Sequence, residues 1–247
     1  DGFLLQQAQA KGARVIGGRV DGVELREGRP FVKVAGGEFQ GYDLLTVAMG
    51  KNNAGLRMFE KLGFGYVPPR VSKTYITEIL LGRETVARCL GTSMHVFLPD
   101  MPRLKFAAII PKGDYATICM LGEKIDRGMV EAFVNSPEVK RCMPPGWMLP
   151  SDACHCSPWI AVGGAAHPFA DRVLFIGDCG VTRLYKDGIG AAYRAAKATA
   201  VTAVFEGVAG SDFQRHYAPL LANIAGDNQY GRIIFLVTTL IQRLRVL

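Results

Sequence analysis

One segment constrains this 247-residue chain more than any other. Arg172-Val173-Leu174-Phe175-Ile176 runs apolar into Gly177-Asp178, and after a loop Gly188-Ile189-Gly190-Ala191-Ala192 opens an alanine-rich stretch. A buried strand that ends on an acid puts the carboxylate where open α/β sheets bind ligands, outside the carboxyl end of the strand. The glycine-flanked stretch predicts a helix near Gly188 whose first N–H groups are uncrowded and free to donate to a phosphate or an anionic ring oxygen. Asp178 can accept from ribose or ribityl hydroxyls. The other reading of the same residues is purely mechanical. Gly188 and Gly190 then permit a turn, and Ala191, Ala192, Ala195 and Ala196 let a helix pack closely on a sheet. Spacing alone does not choose between them.

The rest of the chain is globular in composition. With 49% hydrophobic and 21% charged residues it lacks the low hydrophobicity of disorder. Phe3 to Ala10 predict a helix that stops at Gly12. Short β-type runs follow at Arg14 to Ile16, Val20 to Leu25, Phe31 to Ala35 and Leu44 to Ala48, with Gly17-Gly18, Glu27-Gly28 and Gly36-Gly37 between them. Leu56 to Leu62 predict a short helix ended by Gly63. After Pro68-Pro69 a second β region runs through Ser72 to Leu81, Met94 to Leu98, Leu104 to Ile110 and Tyr115 to Leu121. Lys112-Gly113-Asp114 is a tight turn between the last two. Met129 to Val134 predict a helix, and Pro137, Pro144, Pro145 and Pro150 mark an irregular stretch. Beyond the Gly188 helix, Phe213 to Ile224 and Tyr230 to Leu244 are helical. The order is mixed α/β, then antiparallel β, then a strand and helices.

Charge and cysteine narrow the function classes. Lys and Arg number 29 against 22 Asp and Glu, a net charge of +7, but the basic residues are scattered and form no nucleic-acid footprint. The six cysteines are too sparse for a disulfide scaffold in a chain of this size, which fits a reducing, cytoplasmic setting. Cys154-His155-Cys156 has one-residue spacing and no second Cys or His pair to complete a metal site, so ordinary thiols are expected. No signal peptide is visible. Ile233 to Ile241, flanked by Arg232 and Arg243, is far short of the roughly 20 residues of a membrane span. It can lie on a bilayer surface with Arg232, Arg243 and Arg245 at the headgroups, or pack against protein.

The segment from Arg172 to Ala192 resembles the second FAD-binding motif of the flavoprotein monooxygenase and geranylgeranyl reductase superfamily: an apolar strand, Gly-Asp, a loop, and a Gly-Ile-bearing helix start. Asp1 to Ala13 resembles the family's "LL..A...GA" helix, and Asp43-Leu44-Leu45-Thr46-Val47-Ala48-Met49-Gly50 its "D.vv.A.G" strand. The likeness is greatest to the geranylgeranyl reductase branch. It implies a mixed α/β fold in which a partial FAD-binding, Rossmann-like domain (residues 1–65 and 161–210) carries an inserted antiparallel β-sheet substrate domain (66–160), with helices at 211–247. It also implies a fragment, because no G-x-G-x-x-G segment for the ADP half of FAD precedes Asp1. The chain alone is then expected to be inactive and to bind FAD weakly.

The resemblance gives Gly177 and Asp178 to the ribityl chain, and the backbone at Gly188, Ile189, Gly190 and Ala191 to the flavin ring, where a helix dipole favours the anionic reduced form. It implies hydride transfer through FAD, from NAD(P)H or another reductant, to an apolar and unsaturated substrate such as a prenyl group. An FAD-dependent hydroxylase and a noncatalytic lipid-binding or interaction module are the alternatives. Where reductases of this branch carry Tyr-x-Trp-x-Phe-Pro, this chain has Phe106-Ala107-Ala108-Ile109-Ile110-Pro111, so Ala108 opens volume at a substrate position. Alternation puts Phe106, Ala108 and Ile110 on one sheet face, expected to line an apolar cavity opening toward Gly188 or, in the other reading, to be core. Lys186, in the loop before Gly188, can neutralise a phosphate or reduced flavin, and Met49 stands where many relatives carry an acid.

Overall fold

The computed structural model describes residues 2–51, 53–151, 153–184 and 187–244. Asp1, Lys186 and Arg245 lie outside them. α1 (Gly2–Ala10) precedes a meander of β1 (Val20–Arg26), β2 (Arg29–Val34) and β3 (Phe39–Gly41), then β4 (Leu45–Val47) and α2 (Asn53–Glu60). Next come β5 (Val71–Leu80), α3 (Arg83–Cys89), β6 (His95–Phe97), β7 (Leu104–Lys112) and β8 (Tyr115–Gly122). They are followed by α4 (Arg127–Val134), α5 (Pro137–Cys142), β9 (His155–Cys156) and β10 (Trp159–Ala161). The chain closes with β11 (Phe169–Ala170), β12 (Val173–Phe175), a 3-10 turn at Gly177–Cys179, α6 (Gly188–Phe205), α7 (Gly210–His216) and α8 (Ala218–Leu244). This is the mixed α/β architecture expected from the sequence, with its antiparallel sheet set between two parts of a smaller parallel unit.

The large sheet has the order β10-β5-β8-β7-β6, with β9 also on β5, and every pairing is antiparallel. Period-two alternation gives it two unlike faces. Tyr75, Ile79, Ala107, Ile109, Ile118 and Met120 point one way and pack on Met129, Val130 and Phe133 of α4 and Val139 of α5. Asp126 caps α4 by accepting from the Met129 N–H at 2.9 Å, and Ser136 caps α5 with Pro137 in its first turn. The opposite face carries Thr74, Ile76, Cys119 and Leu121, with Phe106 and Ala108 directly across the ladder from Leu121 and Cys119.

The second unit is built on a parallel pair. β12 lies beside β4, Leu174 opposite Thr46 and Phe175 opposite Val47, with β11 antiparallel on its other side. Both faces are covered, which is why Val173, Leu174 and Phe175 are apolar without alternation. Val173 and Phe175 meet Leu56, Phe59 and Tyr66, and the Tyr66 ring stacks on Phe175 at 3.7 Å. Leu174 meets Ala191, Ala195, Phe213, Tyr217 and Ile224 from the helices on the other face.

Several sequence expectations are corrected. Arg14 to Ile16 form no strand; the run has no neighbouring strand to pair with among the described residues, and Val15 and Ile16 are exposed. Pro137 does not break structure but starts α5, because its missing N–H costs nothing in a helical first turn. The expected helix from Phe213 to Ile224 is divided near Tyr217 into α7 and α8, while Tyr230 to Leu244 is the second half of α8.

The molecule exposes 15049 Å², against about 10,800 Å² for a compact chain of this mass. Part of the excess is apolar. Phe3 and Leu4 on α1, Val204 and Phe205 on α6, and Ile234 and Leu236 on α8 are all more than half exposed. Among the described residues no helix is long and apolar enough to cross a membrane.

Candidate functional site

β4 and β12 run parallel, so their carboxyl ends open on the same crevice, and each delivers a charge there. Beyond β12 the chain turns at Gly177, φ +66°, into the 3-10 turn that presents Asp178. Beyond β4 it turns at Gly50, φ +59°, into Lys51. Lys51 Nζ stands 3.6 Å from Asp178 Oδ2, the lysine side chain 14% exposed and the carboxylate 37%. Burial pushes the Lys51 ammonium below its usual range, and the charge and hydrogen bond of Asp178 pull it partly back. Two tyrosines brace the turn from opposite cores. Tyr66 donates to the Cys179 carbonyl at 2.7 Å, and Tyr217 to the Phe175 carbonyl at 3.0 Å. The Cys179 thiol, fully buried behind Asp178, donates to backbone carbonyls, and burial raises its pKa. It serves the turn.

The turn brings Asp178 to the start of α6. A Cβ placed on Gly188 would lie 3.8 Å from both Asp178 Oδ1 and Thr182 Oγ1, so any side chain there would enter the space between them. Thr182 is 4% exposed and its hydroxyl has no hydrogen-bond partner among the described residues. A buried hydroxyl without a partner marks a place where a ligand or water completes the structure. Both residues line a cavity of about 300 Å³ whose other wall is Thr74, Ile76, Cys119 and Leu121 of the large sheet. The strand end, the helix start and the open sheet face therefore enclose one space.

The helix start is narrower in its donors than the sequence suggested. Asp187, in a left-handed conformation with φ +47°, caps α6 by accepting from the Gly190 N–H at 3.1 Å, and its carbonyl accepts from Ala191 N. Those two donors are spent. The N–H groups of the first turn with no partner among the described residues are those of Gly188 and Ile189, and the Ala191 side chain packs in the core under Leu174. The mechanical reading thus holds for Ala191 and Ala195, and the donor reading is left with Gly188 and Ile189. Arg183 and Arg194 both reach the Asp187 carboxylate, at 3.1 and 3.3 Å, and Arg183 also holds Asp227 of α8 at 3.0 Å. The hydrogen bond from Arg183 is the main cause holding the Asp187 carboxyl below its usual range. Asn228, 7% exposed, accepts from Leu184 N at 2.6 Å and donates to Thr182 O at 2.8 Å, tying the loop before α6 to α8.

Phe106, Ala108 and Ile110 do share the open face of the sheet, away from the α4 core, which takes Ala107 and Ile109 instead. They do not line the cavity at Gly188. β5 and β8 stand between β7 and the crevice, and Phe106 is covered by Phe235 of α8, ring centroids 5.7 Å apart. Ala108 is 2% exposed, so that position is covered and not open to solvent. Of Cys154, His155 and Cys156, the histidine ring stacks on Tyr75 at 5.2 Å and both thiols are free and exposed. The sequence reading missed Lys51, Thr182 and Asn228.

No family model matches the chain, and no curated protein matches it. Solved structures do. The chain is similar to the flavin-dependent brominase Bmp2, with 14% identity, 98% of this chain and 64% of that one covered, and a TM-score of 0.69. It is similar to a geranylgeranyl bacteriochlorophyll reductase-like protein from Thermoplasma acidophilum, with 12% identity, 96% and 62% covered, and a TM-score of 0.71. A mutant of the halogenase PltM crystallised in complex with FAD matches at 13% identity and a TM-score of 0.68, with 96% and 53% covered. The fold is that of these three structures. The chain spans less than two thirds of the length of each of these neighbours.

Proposed function

We propose that the chain forms the flavin-ring side of an FAD-dependent oxidoreductase that passes hydride to an apolar substrate held between the flavin and the large sheet. The observation that carries this reading is the cavity at Gly188, where a carboxylate, a buried threonine hydroxyl with no partner among the described residues and the first residue of α6 converge opposite an apolar sheet face. These residues fit FAD. Asp178 accepts from ribityl hydroxyls, Thr182 donates to or accepts from the same chain, and the Gly188 and Ile189 N–H groups meet a ring carbonyl. Lys51, 3.6 Å from Asp178 Oδ2, holds the Asp178 side chain at the crevice. The bound FAD supplies the redox chemistry, accepting and releasing the hydride. The sheet residues Ile76, Cys119 and Leu121 exclude water from the reacting face and give the substrate an apolar seat. The fold shared with a reductase-like protein and with FAD-binding halogenases supports this reading.

The test is a fluorescence-quenching titration of riboflavin and of FAD with the intact chain. Riboflavin carries only the ring and ribityl parts that this site contacts. Gly188→Val and Asp178→Ala are each expected to weaken both ligands by about tenfold, the equivalent of about 1.4 kcal/mol. Unchanged quenching in both variants would refute the site. With a candidate substrate and the reduced cofactor, oxygen consumption coupled to a hydroxylated product would replace the hydride reading with a hydroxylase.

A further inference from the structure

A second cavity, of about 380 Å³, adjoins the first. The two are lined by neighbouring residues of the same segments: Ser72 two before Thr74 on β5, Gly122 beside Leu121 on β8, Val162 beside Ala161 at the end of β10, and Leu184 beside Arg183 in the loop before α6. At the roughly 3.3 Å rise of a strand residue, this sets the two spaces side by side along the sheet. Phe235 of α8 and Leu184 give the second cavity apolar surface. α8 is held over the sheet there by the Phe106–Phe235 stack and by Gln242, which donates to the carbonyls of Pro99 and Lys105.

What sets this cavity apart is its charge. Arg70, Lys105 and Arg232 line it, from three separate elements, and none of them has an ion pair among the described residues. Arg103, Arg127, Arg172, Arg183 and Arg194, by contrast, each lie within 4.0 Å of a carboxylate. The acid in the cavity, Glu123, pairs with none of the three cations. Three exposed cations against the one carboxylate of Glu123 give the space a net positive charge.

We infer that this cavity binds the oxyanion group, carboxylate or phosphate, of a small amphiphilic ligand whose apolar part lies in the adjoining cavity against Leu121 and Cys119. As a statement about the enzyme's substrate, this rests on the flavin reading above. As a binding site it stands on the cavity alone.

Calorimetric titration of the intact chain, without flavin and at low ionic strength, tests it with phenyl phosphate, benzoate and phenol. Both anions are expected to bind saturably and at least about tenfold tighter than phenol, the preferred one identifying the headgroup. Combined Arg70→Gln, Lys105→Gln and Arg232→Gln substitutions should weaken the anions by about tenfold and leave phenol unchanged. Glu123→Gln should tighten the anions, and Arg232→Glu alone should weaken them. Phenol binding as tightly as the anions, or anion affinity indifferent to all three variants, would overturn the inference. Since no titration contains flavin, loss of the FAD site would leave these results intact, and loss of the anion site would leave the riboflavin result intact.

Discussion

Asn228→Ala removes the side chain that joins the loop before α6 to α8. It breaks two hydrogen bonds, from Leu184 N at 2.6 Å and to Thr182 O at 2.8 Å, at a site 7% exposed. A typical neutral hydrogen bond contributes about 1 kcal/mol net, whereas an abandoned buried donor or acceptor costs about 1–3 kcal/mol. Water entering the vacated space recovers part of this, so the sum for both groups is about 3 kcal/mol. In a chain of this size that lowers Tm by about 6–12 °C. Urea unfolding followed by circular dichroism measures the loss. Hydrogen exchange locates it, because the Leu184 amide should become one of the fastest-exchanging buried amides while those of β7 and β8 keep their protection. A loss below about 0.5 kcal/mol with the Leu184 amide still protected would refute the reasoning, since the loop would then be held by something other than Asn228.

Alkaline stability follows from the two tyrosines that brace the Asp178 turn. Burial raises both Tyr66 and Tyr217, so the folded state keeps their protons where the unfolded chain, near pH 10, releases them. Stability is therefore full below about pH 10 and falls as pH rises beyond it; in absorbance at 295 nm, two of the eight tyrosines should ionise only together with unfolding. Ala108→Trp should cost about 1–3 kcal/mol or more through overpacking, because Ala108 is 2% exposed, and should leave riboflavin affinity unchanged in the protein that remains folded. A Trp variant of undiminished stability that blocks ligand would restore Ala108 to the substrate wall.

The parts of the fold readable in the sequence are those whose determinants are local. β12 and the start of α6 are written as an apolar run, a Gly-Asp pair and a Gly-Ile-Gly helix start, and each of those signals acts over a few residues. The three long strands of the large sheet, β5, β7 and β8, were likewise visible as β-branched and apolar runs. Other features depend on partners far along the chain. Thr182 becomes a site residue only because Asp178 and Gly188 meet around it, and Asn228 only because α8 returns to the loop. Lys51 had a sequence signal that went unused: it ends the strand resembling the family's "D.vv.A.G" element, as Asp178 ends the other motif strand. Two parallel neighbours end on the same side. Arg14 to Ile16 failed for the converse reason, since strand-like residues form no strand without a ladder to join.

The position of Phe106, Ala108 and Ile110 shows how far period two can be pressed. Alternation assigned them to the correct face, because the pleat fixes which way each side chain points. It says nothing of lateral order. In the sheet, β5 and β8 lie between β7 and the crevice, so the residues that meet the Gly188 side are Ile76 and Cys119, while Ala108 stands one strand further out. Strand order is set by connections such as the Lys112-Gly113-Asp114 turn, which makes β8 the neighbour of β7, and by the long return that brings β5 against β8. Consequently β7 meets α8 and not the helix start, and the Phe106–Phe235 stack makes it a support for the roof of the cationic cavity. A substitution at Phe106 should therefore act on anion binding through α8 before it acts on anything at Asp178. Phe106→Leu, which keeps the apolar character but removes the ring stack, is expected to weaken benzoate more than riboflavin in the titrations above, and the reverse order would place β7 on the flavin side after all.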